Sequence, residues 1–167
     1  YFQTKKLDDT FLTNVRQAMS TSEAGFSFNY LKDTETLRNA CTEVTSSDDS
    51  DLCNLGSLNL SKIENIKELE AVTELATKFL ICGTIRGQVP YKKIEQVREK
   101  NRRIGLGLMG VHEWQLQRGF KYEINEELRN WLQIYQDVSD ETSETFAYSK
   151  SISQPVANRA IAPTGTI

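Results

Sequence analysis

Apolar residues recur at intervals of three and four along much of the chain, which is the spacing of one face of an α-helix. This pattern predicts helices over 9–21, 68–81, 91–100, 111–117 and 125–148. Asn125 is placed to cap the last of them. The buried stripe of that helix is predicted to be Leu128, Trp131, Leu132, Tyr135, Val138 and Phe146. The helix over 68–81 should bury Leu69, Val72, Ala76, Phe79 and Leu80.

Shorter apolar runs between the helices predict strands over 25–30, 52–60, 104–109 and 155–161. The stretch Thr-Ser-Ser-Asp-Asp-Ser-Asp at 45–51 predicts a polar, acidic surface loop. Strands that alternate with long helices are typical of an α/β fold with mostly parallel strands. Because so few parallel strands make a poor sheet alone, we expect the chain to be part of a larger fold.

Composition places the chain among ordinary globular proteins. Of its 167 residues, 38% are hydrophobic and 26% charged, and the net charge of −3 argues against a direct nucleic-acid interface. No apolar run approaches the roughly 20 residues that cross a bilayer, and the polar N-terminal stretch has no signal-peptide core. We therefore expect a cytoplasmic protein with no membrane partner. Residues 1–3, Tyr-Phe-Gln, match the end of a protease-cleavage tag and are expected to be a tag remnant, with natural sequence over 4–167.

The chain has three cysteines, Cys41, Cys53 and Cys82, and a single histidine, His112. There is no CxxC pair and no Cys/His cluster, so no metal site is expected, and the cysteines are expected to be reduced thiols. Cys82 is expected to be a core residue at the end of the helix over 68–81.

Asn39, Cys41 and Glu43 carry an amide, a thiol and a carboxylate at every second position. If the segment is extended, all three side chains point to one side, as a radical or nucleophilic centre would need. The ordinary alternative is that Cys41 is a small buried hydrophobe and Glu43 a solvated surface group. Cys53 follows twelve residues after Cys41, and a turn through the acidic loop could bring both thiols toward one cavity. It could equally be a core residue.

Two glycine-bearing segments allow close backbone approach. The run 105–110 satisfies the GxGxxG pattern of a dinucleotide-binding turn, but bulky Leu108 and Met109 favour close strand–helix packing instead. In Pro163-Thr164-Gly165-Thr166, small residues would let backbone N–H groups reach a phosphate, although an ordinary turn has the same composition. The pair Arg102-Arg103 could bind phosphate or nearby acids such as Glu99, and His112-Glu113 is expected to be helix surface rather than a catalytic dyad.

Four motifs together resemble the large chain of ribonucleotide reductase in identity, order and spacing. They are Asn-x-Cys-x-Glu at 39–43, Cys-Asn-Leu-Gly-Ser-Leu-Asn-Leu at 53–60, Lys-Asn-Arg-Arg-Ile-Gly-Leu-Gly at 100–107 and Ala-Pro-Thr-Gly-Thr-Ile at 162–167. The resemblance implies that 4–167 is a fragment of a ten-stranded α/β catalytic barrel, with a finger loop near 39–43. It also implies reduction of ribonucleotides to deoxyribonucleotides for DNA synthesis.

The resemblance assigns a role to each matching residue. Cys41 corresponds to the thiyl radical that removes the ribose 3′ hydrogen, Glu43 to the base at the 3′ hydroxyl, and Asn39 to an amide that binds substrate hydroxyls. Cys53 corresponds to one of two thiols that end as a disulfide, its partner lying upstream in the family. The truncated loop over 163–167 corresponds to the substrate-phosphate loop, with Pro163, Thr164, Gly165 and Thr166.

The run 100–119 and the acidic loop most resemble the branch that uses adenosylcobalamin to make the radical. The alternative is the branch in which a dimetal small subunit passes the radical in. The implied partners are a ribonucleotide, the rest of the reductase chain and a thioredoxin-type reductant. The isolated chain is expected to be inactive. Alternatively, it is a non-catalytic half that acts by complementation, or a dinucleotide-binding module.

Overall fold

The computed structural model describes residues 6–23 and 36–165. The chain divides into two compact units, Tyr1–Asp33 and Thr34–Ile167. In the first, helix α1 spans Asp9–Thr21, as predicted. Asp8 caps it by accepting a hydrogen bond from the Thr10 N–H at 2.8 Å, and Ser22 ends it at a φ of 60°. The strand predicted over 25–30, the tag remnant over 1–3 and Thr166 lie outside the described residues.

The second unit alternates strands and helices. In chain order its elements are β1 Leu37–Arg38, β2 Thr45–Ser46, β3 Asn54–Asn59, a short 3-10 helix Leu60–Lys62, α2 Ile66–Arg86, α3 Lys92–Asn101, β4 Ile104–Met109, α4 Val111–Gln117 and α5 Glu126–Ser149. None of the described helices is both long and apolar enough to cross a membrane. The predicted helices over 91–100, 111–117 and 125–148 are confirmed to within one residue at each end.

Strands β3 and β4 pair in parallel, from Asn54 opposite Ile104 to Asn59 opposite Met109. Their connection contains α2 and α3, because parallel neighbours need a crossover rather than a tight turn. The α/β class with parallel strands is therefore confirmed, while the described part of the chain forms no closed barrel. The strand predicted over 52–60 is confirmed except at its ends: it begins at Asn54, and Leu60 already belongs to the 3-10 helix.

Helix α5 buries half of its predicted stripe and packs mainly against α2. Leu128, Trp131 and Tyr135 are buried, and the Tyr135 hydroxyl donates to the Leu106 carbonyl on β4 at 2.6 Å. Trp131 meets Trp114 of α4 edge to face at 5.1 Å between ring centroids. Asn125 caps the helix through the Leu128 N–H at 2.8 Å, as predicted.

The buried face of α2 differs from the prediction. The helix begins after the Asn65 cap and runs to Arg86, so Cys82 lies within it. Cys82 is exposed, and Phe79 is 75% exposed, so both were wrongly predicted to lie in the core. Leu69 and Leu80 are buried as predicted. Three threonines lie on the same face, so the buried face cannot be located from hydrophobic residues alone. The buried residues are Leu69, Thr73, Thr77, Leu80, Ile81 and Thr84.

The strand predicted over 155–161 is wrong as regular structure. The segment lies alongside β4 and pairs with it at a single bridge, Leu106 to Arg159. The Ile104 N–H donates to the Ala157 carbonyl, and the Ala160 N–H donates to the Leu106 carbonyl. Pro155 has no N–H to give, and the side chains of Asn158 and Arg159 are bound to Asp140 of α5. The segment is therefore held as an extended edge without a full ladder.

Two glycines of the 105–110 run lie inside β4 and serve close packing. A Cβ at Gly105 would come within 2.5 Å of the Leu55 side chain, and one at Gly107 within 2.5 Å of the Ala160 carbonyl oxygen. Only Gly110, at a φ of 70°, is in the turn into α4. The close packing at Gly105 and Gly107 is against β3 and the segment after α5, so the prediction of strand–helix packing is wrong in its partner.

Candidate active site

Residues 37–46 form a small hairpin with Cys41 at its tip. Strands β1 and β2 pair antiparallel, and the Thr42 N–H donates to the Asn39 carbonyl at 3.0 Å. The Asn39 side-chain oxygen accepts from the Val44 N–H at 3.2 Å, and Thr42 adopts a φ of 68°. The extended conformation assumed for 39–43 is therefore wrong, because the chain turns there. The turn leaves the Cys41 thiol exposed.

Glu43 follows this turn and points inward. Both of its carboxylate oxygens are buried, and neither has a hydrogen-bond partner among the residues that the structure describes. A buried acceptor without a partner costs on the order of 1–3 kcal/mol, and more when it is charged. Such groups are rare in folded proteins and ask for an explanation, of which a missing ligand is one.

A cleft of about 180 Å³ brings Glu43 and Cys53 together with two arginines, Arg103 and Arg159. The remaining lining residues are Val44, Thr45, Ile104, Val156, Ala157 and Ala160. Cys53 also borders a neighbouring cavity of about 440 Å³, which Asn39 lines. Cys41 lines neither of these two cavities. The structure thus joins three of the four candidate catalytic residues around Cys53 and places Cys41 on the hairpin between Asn39 and Glu43.

Burial raises the pKa of the Cys53 thiol to about 11. Arg103 acts in the opposite direction, and the carboxylates of Asp51 and Glu43 add to the increase. At neutral pH the thiol is therefore protonated and able to give up hydrogen, rather than a standing thiolate.

Arg103 is held in the cleft by a buried ion pair that the sequence did not reveal. Its Nε donates to Asp51 Oδ2 at 3.0 Å, and the two side chains are 7% and 6% exposed. The same oxygen accepts from Ser46 Oγ at 2.7 Å and Asn101 Nδ2 at 3.0 Å. The prediction of a surface loop over 45–51 is therefore wrong for its two ends, because Ser46 and the Asp51 carboxylate are buried. Asp51 and Arg103 each stand just before a strand, so the β3–β4 pairing was the signal that could have found them.

Arg159 is the second cation of the cleft, and it was not predicted either. Its Nη1 donates to Ser139 Oγ at 2.7 Å and to Asp140 Oδ1 at 2.5 Å. Asn158 Nδ2 donates to the same carboxylate at 2.7 Å. Burial pushes the pKa of Asp140 upward, but the hydrogen bonds from Arg159 and Asn158 outweigh it and hold that pKa below its usual value. Helix α5 thus fixes the wall of the cleft opposite the hairpin residues.

The predicted phosphate loop lies apart from the cleft. Pro163 and Gly165 are exposed and Thr164 is half-buried, and none of the three lines either cavity. A Cβ at Gly165 would meet nothing within 4 Å. The backbone there is accessible to a ligand, which leaves the phosphate role a prediction.

The parallel α/β unit is similar to proteins of one known family. The family model described as the ribonucleotide reductase barrel domain matches residues 27–151. A protein of Mycobacterium phage D29, named as an adenosylcobalamin-dependent ribonucleoside-triphosphate reductase, is 32% identical over 139 residues, which is 77% of this chain and 20% of that protein. The ribonucleoside-diphosphate reductase alpha subunit of Helicobacter pylori strain 26695 is 28% identical over 116 residues, covering 66% of this chain and 15% of the subunit. That of Synechocystis sp. is 28% identical over 94 residues, covering 56% and 12%.

The matched family domain is an α/β barrel, and the parallel pair of β3 and β4 falls within the matched residues. The chain belongs to the ribonucleotide reductase family, as a segment of its large chain. It spans about a fifth of the length of the phage relative and less of the two alpha subunits.

Proposed function

We propose that this chain supplies the thiol-bearing part of a ribonucleotide reductase active site, which converts ribonucleotides to deoxyribonucleotides through a thiyl radical on Cys41. The observation that carries the proposal is the cleft in which the unpartnered carboxylate of Glu43 meets the protonated thiol of Cys53. Glu43 lies two residues from the exposed Cys41, so the proposed base is close in the chain to the proposed radical thiol and shares the cleft with the proposed reducing thiol.

The proposed chemistry uses each group once. The Cys41 thiyl radical takes the hydrogen atom from ribose C3′, and Glu43 takes the proton of the 3′ hydroxyl, which eases loss of the 2′ hydroxyl as water. Cys53 and a partner thiol supply two electrons and two hydrogens: one hydrogen leaves with the 2′ hydroxyl as water, the other takes its place at C2′, and the two sulfurs end as a disulfide. Glu43 returns its proton to the 3′ oxygen. Cys41 then returns its hydrogen to C3′ and is a radical again. The amide of Asn39 holds the substrate hydroxyls, and the loop at 163–166 takes the phosphate.

The partner of Cys53 is proposed to come from another part of the complete reductase chain. Cys82 is exposed on α2 and lines neither cavity that Cys53 borders, and Cys41 is needed as the radical site. We therefore infer that turnover needs the rest of the chain together with a thioredoxin-type dithiol. An isolated chain that makes deoxynucleotide by itself would contradict this inference.

Adenosylcobalamin is proposed as the source of the radical on the strength of the phage relative's name. Within 6–23 and 36–165, no three His, Cys, Asp or Glu side chains come together as a metal site. When bound, the cofactor would supply the radical that Cys41 receives. An external radical source, whether cobalamin or a dimetal subunit, needs access to that thiol, and its exposure at the hairpin tip provides it.

The test is Cys41→Ser in the complete reductase chain that contains this segment. We expect deoxynucleotide formation to fall below detection, while the unfolding temperature stays within about 2 °C, because the exposed side chain makes little packing contact. Cys82→Ser is the matched control, since it removes another exposed thiol and should leave the rate unchanged. Turnover that survives in Cys41→Ser would remove the radical from Cys41 and end the proposal.

A further inference from the structure

Cys53 and Arg103 stand side by side because they precede the two paired strands. The Asn54 N–H donates to the Arg103 carbonyl at 3.4 Å, and the parallel register starts one residue later, with Asn54 opposite Ile104. Both side chains line the cleft of about 180 Å³. The sheet itself thus brings a cation to the thiol.

The Arg103 guanidinium is fixed there by the Asp51 carboxylate. Its side chain is only 7% exposed, so its field is weakly screened by solvent and salt. Asp51 is in turn held by Ser46 and Asn101. A cation clamped in this way cannot swing out into solvent without breaking a buried network.

We propose that Arg103 is a positioning residue for Cys53: clamped by Asp51, it stabilises the thiolate that Cys53 becomes when its disulfide is reduced. The proposal rests on the proposed role of Cys53 as one of the two reducing thiols. This role belongs to the re-reduction of the Cys53 disulfide, and neither the radical step nor the loss of water needs it.

The step concerned regenerates the enzyme after each turnover. A thiolate of an external dithiol attacks the sulfur of the Cys53 partner, a new S–S bond forms, and the old one breaks with its electron pair leaving on Cys53. The second thiol of the dithiol then breaks the mixed disulfide, so the dithiol is oxidised and both protein thiols are recovered after taking up protons from water. A leaving thiolate departs faster when it is better stabilised.

Charged groups from every side of the cleft act on Cys53. Burial is the largest influence and raises its pKa, Arg103 on the β4 side lowers it, and Asp51 and Glu43 raise it. Arg159 lines the cleft from the segment after α5, bound to Asp140 and Ser139, and it is not among the charges that shift the pKa of Cys53. Arg103 is thus the cation that counters the burial of this thiol.

The experiment measures the rate at which iodoacetamide alkylates Cys53 between pH 7.5 and 10.5, resolved by peptide mass spectrometry, in the complete reductase chain. Arg103→Gln is expected to slow alkylation by roughly threefold or more at pH 8–9, which corresponds to about half a pKa unit. The rate in Arg103→Gln should stay below that of the wild type across this pH range, because the thiol is still mostly protonated throughout it. Arg103→Lys keeps the charge and should restore most of the rate. Exposed Cys82, read in the same digest, is the internal control and should not change.

Equal Cys53 rates in the wild type, Arg103→Gln and Arg103→Lys would overturn the proposal. If Arg103→Gln does not fold, the double variant Asp51→Asn/Arg103→Gln leaves no unpaired charge. It should still be slower than the wild type, because the influence of Arg103 on Cys53 exceeds that of Asp51. A wild-type or faster rate in the folded double variant would count against the proposal. Alkylation is measured on the resting protein, so this result is independent of whether Cys41→Ser loses turnover.

Discussion

The Glu43 side chain lowers the stability of the fold but suits the chemistry proposed for it. Its carboxylate is buried without a partner in the described part of the chain, which costs folding free energy, yet an open acceptor is what a base at a substrate hydroxyl needs. Strained or unsatisfied groups of this kind are found mainly where function requires them.

We expect Glu43→Gln in the complete reductase to separate the two effects. Because the change removes an unpaired buried charge, the unfolding temperature should stay the same or rise, whereas kcat should fall by about 100-fold or more with loss of the base. Chemical or thermal unfolding and a deoxynucleotide assay measure the two quantities. Glu74→Gln, at an exposed position of α2, is the control and should alter neither by much. A kcat close to that of the wild type would exclude Glu43 as the base.

Cys53 gives a second prediction at this scale, through the pH dependence of stability. Its pKa rises from an ordinary 9.0 to about 11 in the fold, so the fold favours the protonated thiol. The contribution of Cys53 to the free energy of unfolding is fully present below pH 9 and is lost as the pH rises toward 11. Burial raises the pKa of Tyr135 from 10.0 to about 12, so its contribution to stability is lost over a higher pH range.

We therefore expect Cys53→Ala to flatten the fall in unfolding free energy between pH 9 and pH 10, where Tyr135 contributes little. Urea titrations at several pH values measure the slope. Cys82→Ala should leave it as in the wild type, since that thiol is exposed. An unchanged slope in Cys53→Ala would mean that the thiol is not shielded as described.

At the scale of elements, the sequence predicted what depends on local pattern and missed what depends on pairing. The helix over 126–149 was found from its apolar repeat and its Asn125 cap, both of which lie within one segment. The Asp51–Arg103 pair joins residues 52 positions apart, so no local pattern contains it. For the same reason, Glu43 and Cys53 were predicted as candidates but their shared cleft with Arg159 was not. Phe79 was misplaced because threonines occupy the buried face of α2.

The acidic loop offers a matched pair of substitutions. Asp51→Asn leaves Arg103 without its buried carboxylate and should lower the free energy of unfolding by about 3 kcal/mol. The side chains of Lys93 and Asp49 are 62% and 63% exposed, so Asp49→Asn, which breaks their ion pair, should cost much less. Urea unfolding of both variants checks the difference. Similar losses in the two would show that Asp51 is not buried as an ion pair.

At the scale of the molecule, the described sheet is held mainly by the helices over it. Two parallel strands are too few for an independent sheet, and both lie within the residues that match the ribonucleotide reductase barrel domain. Within the chain, α5 fixes the sheet through the Tyr135 hydroxyl on the Leu106 carbonyl and fixes the end of the cleft through Asp140 and Arg159.

Removing that hydroxyl tests the link between helix and sheet. Tyr135→Phe should lower the free energy of unfolding by about 1 kcal/mol, because the ring is kept and one buried hydrogen bond is lost. Tyr148→Phe, at a position 87% exposed on the same helix, should change it by less than about 0.5 kcal/mol. Thermal unfolding distinguishes the two. No loss in Tyr135→Phe would show that the helix is held by packing alone.

The bare backbone of β4 has a consequence for the width of the cleft. At Gly107 the Ala160 carbonyl oxygen occupies the space that a methyl group would need, at 2.5 Å. Arg159, the neighbour of Ala160, is bridged to Leu106 of β4 and lines the cleft. A methyl group added at Gly107 would push Ala160, and with it Arg159, away from β4, so the place of the Arg159 guanidinium in the cleft depends on the missing side chain at Gly107.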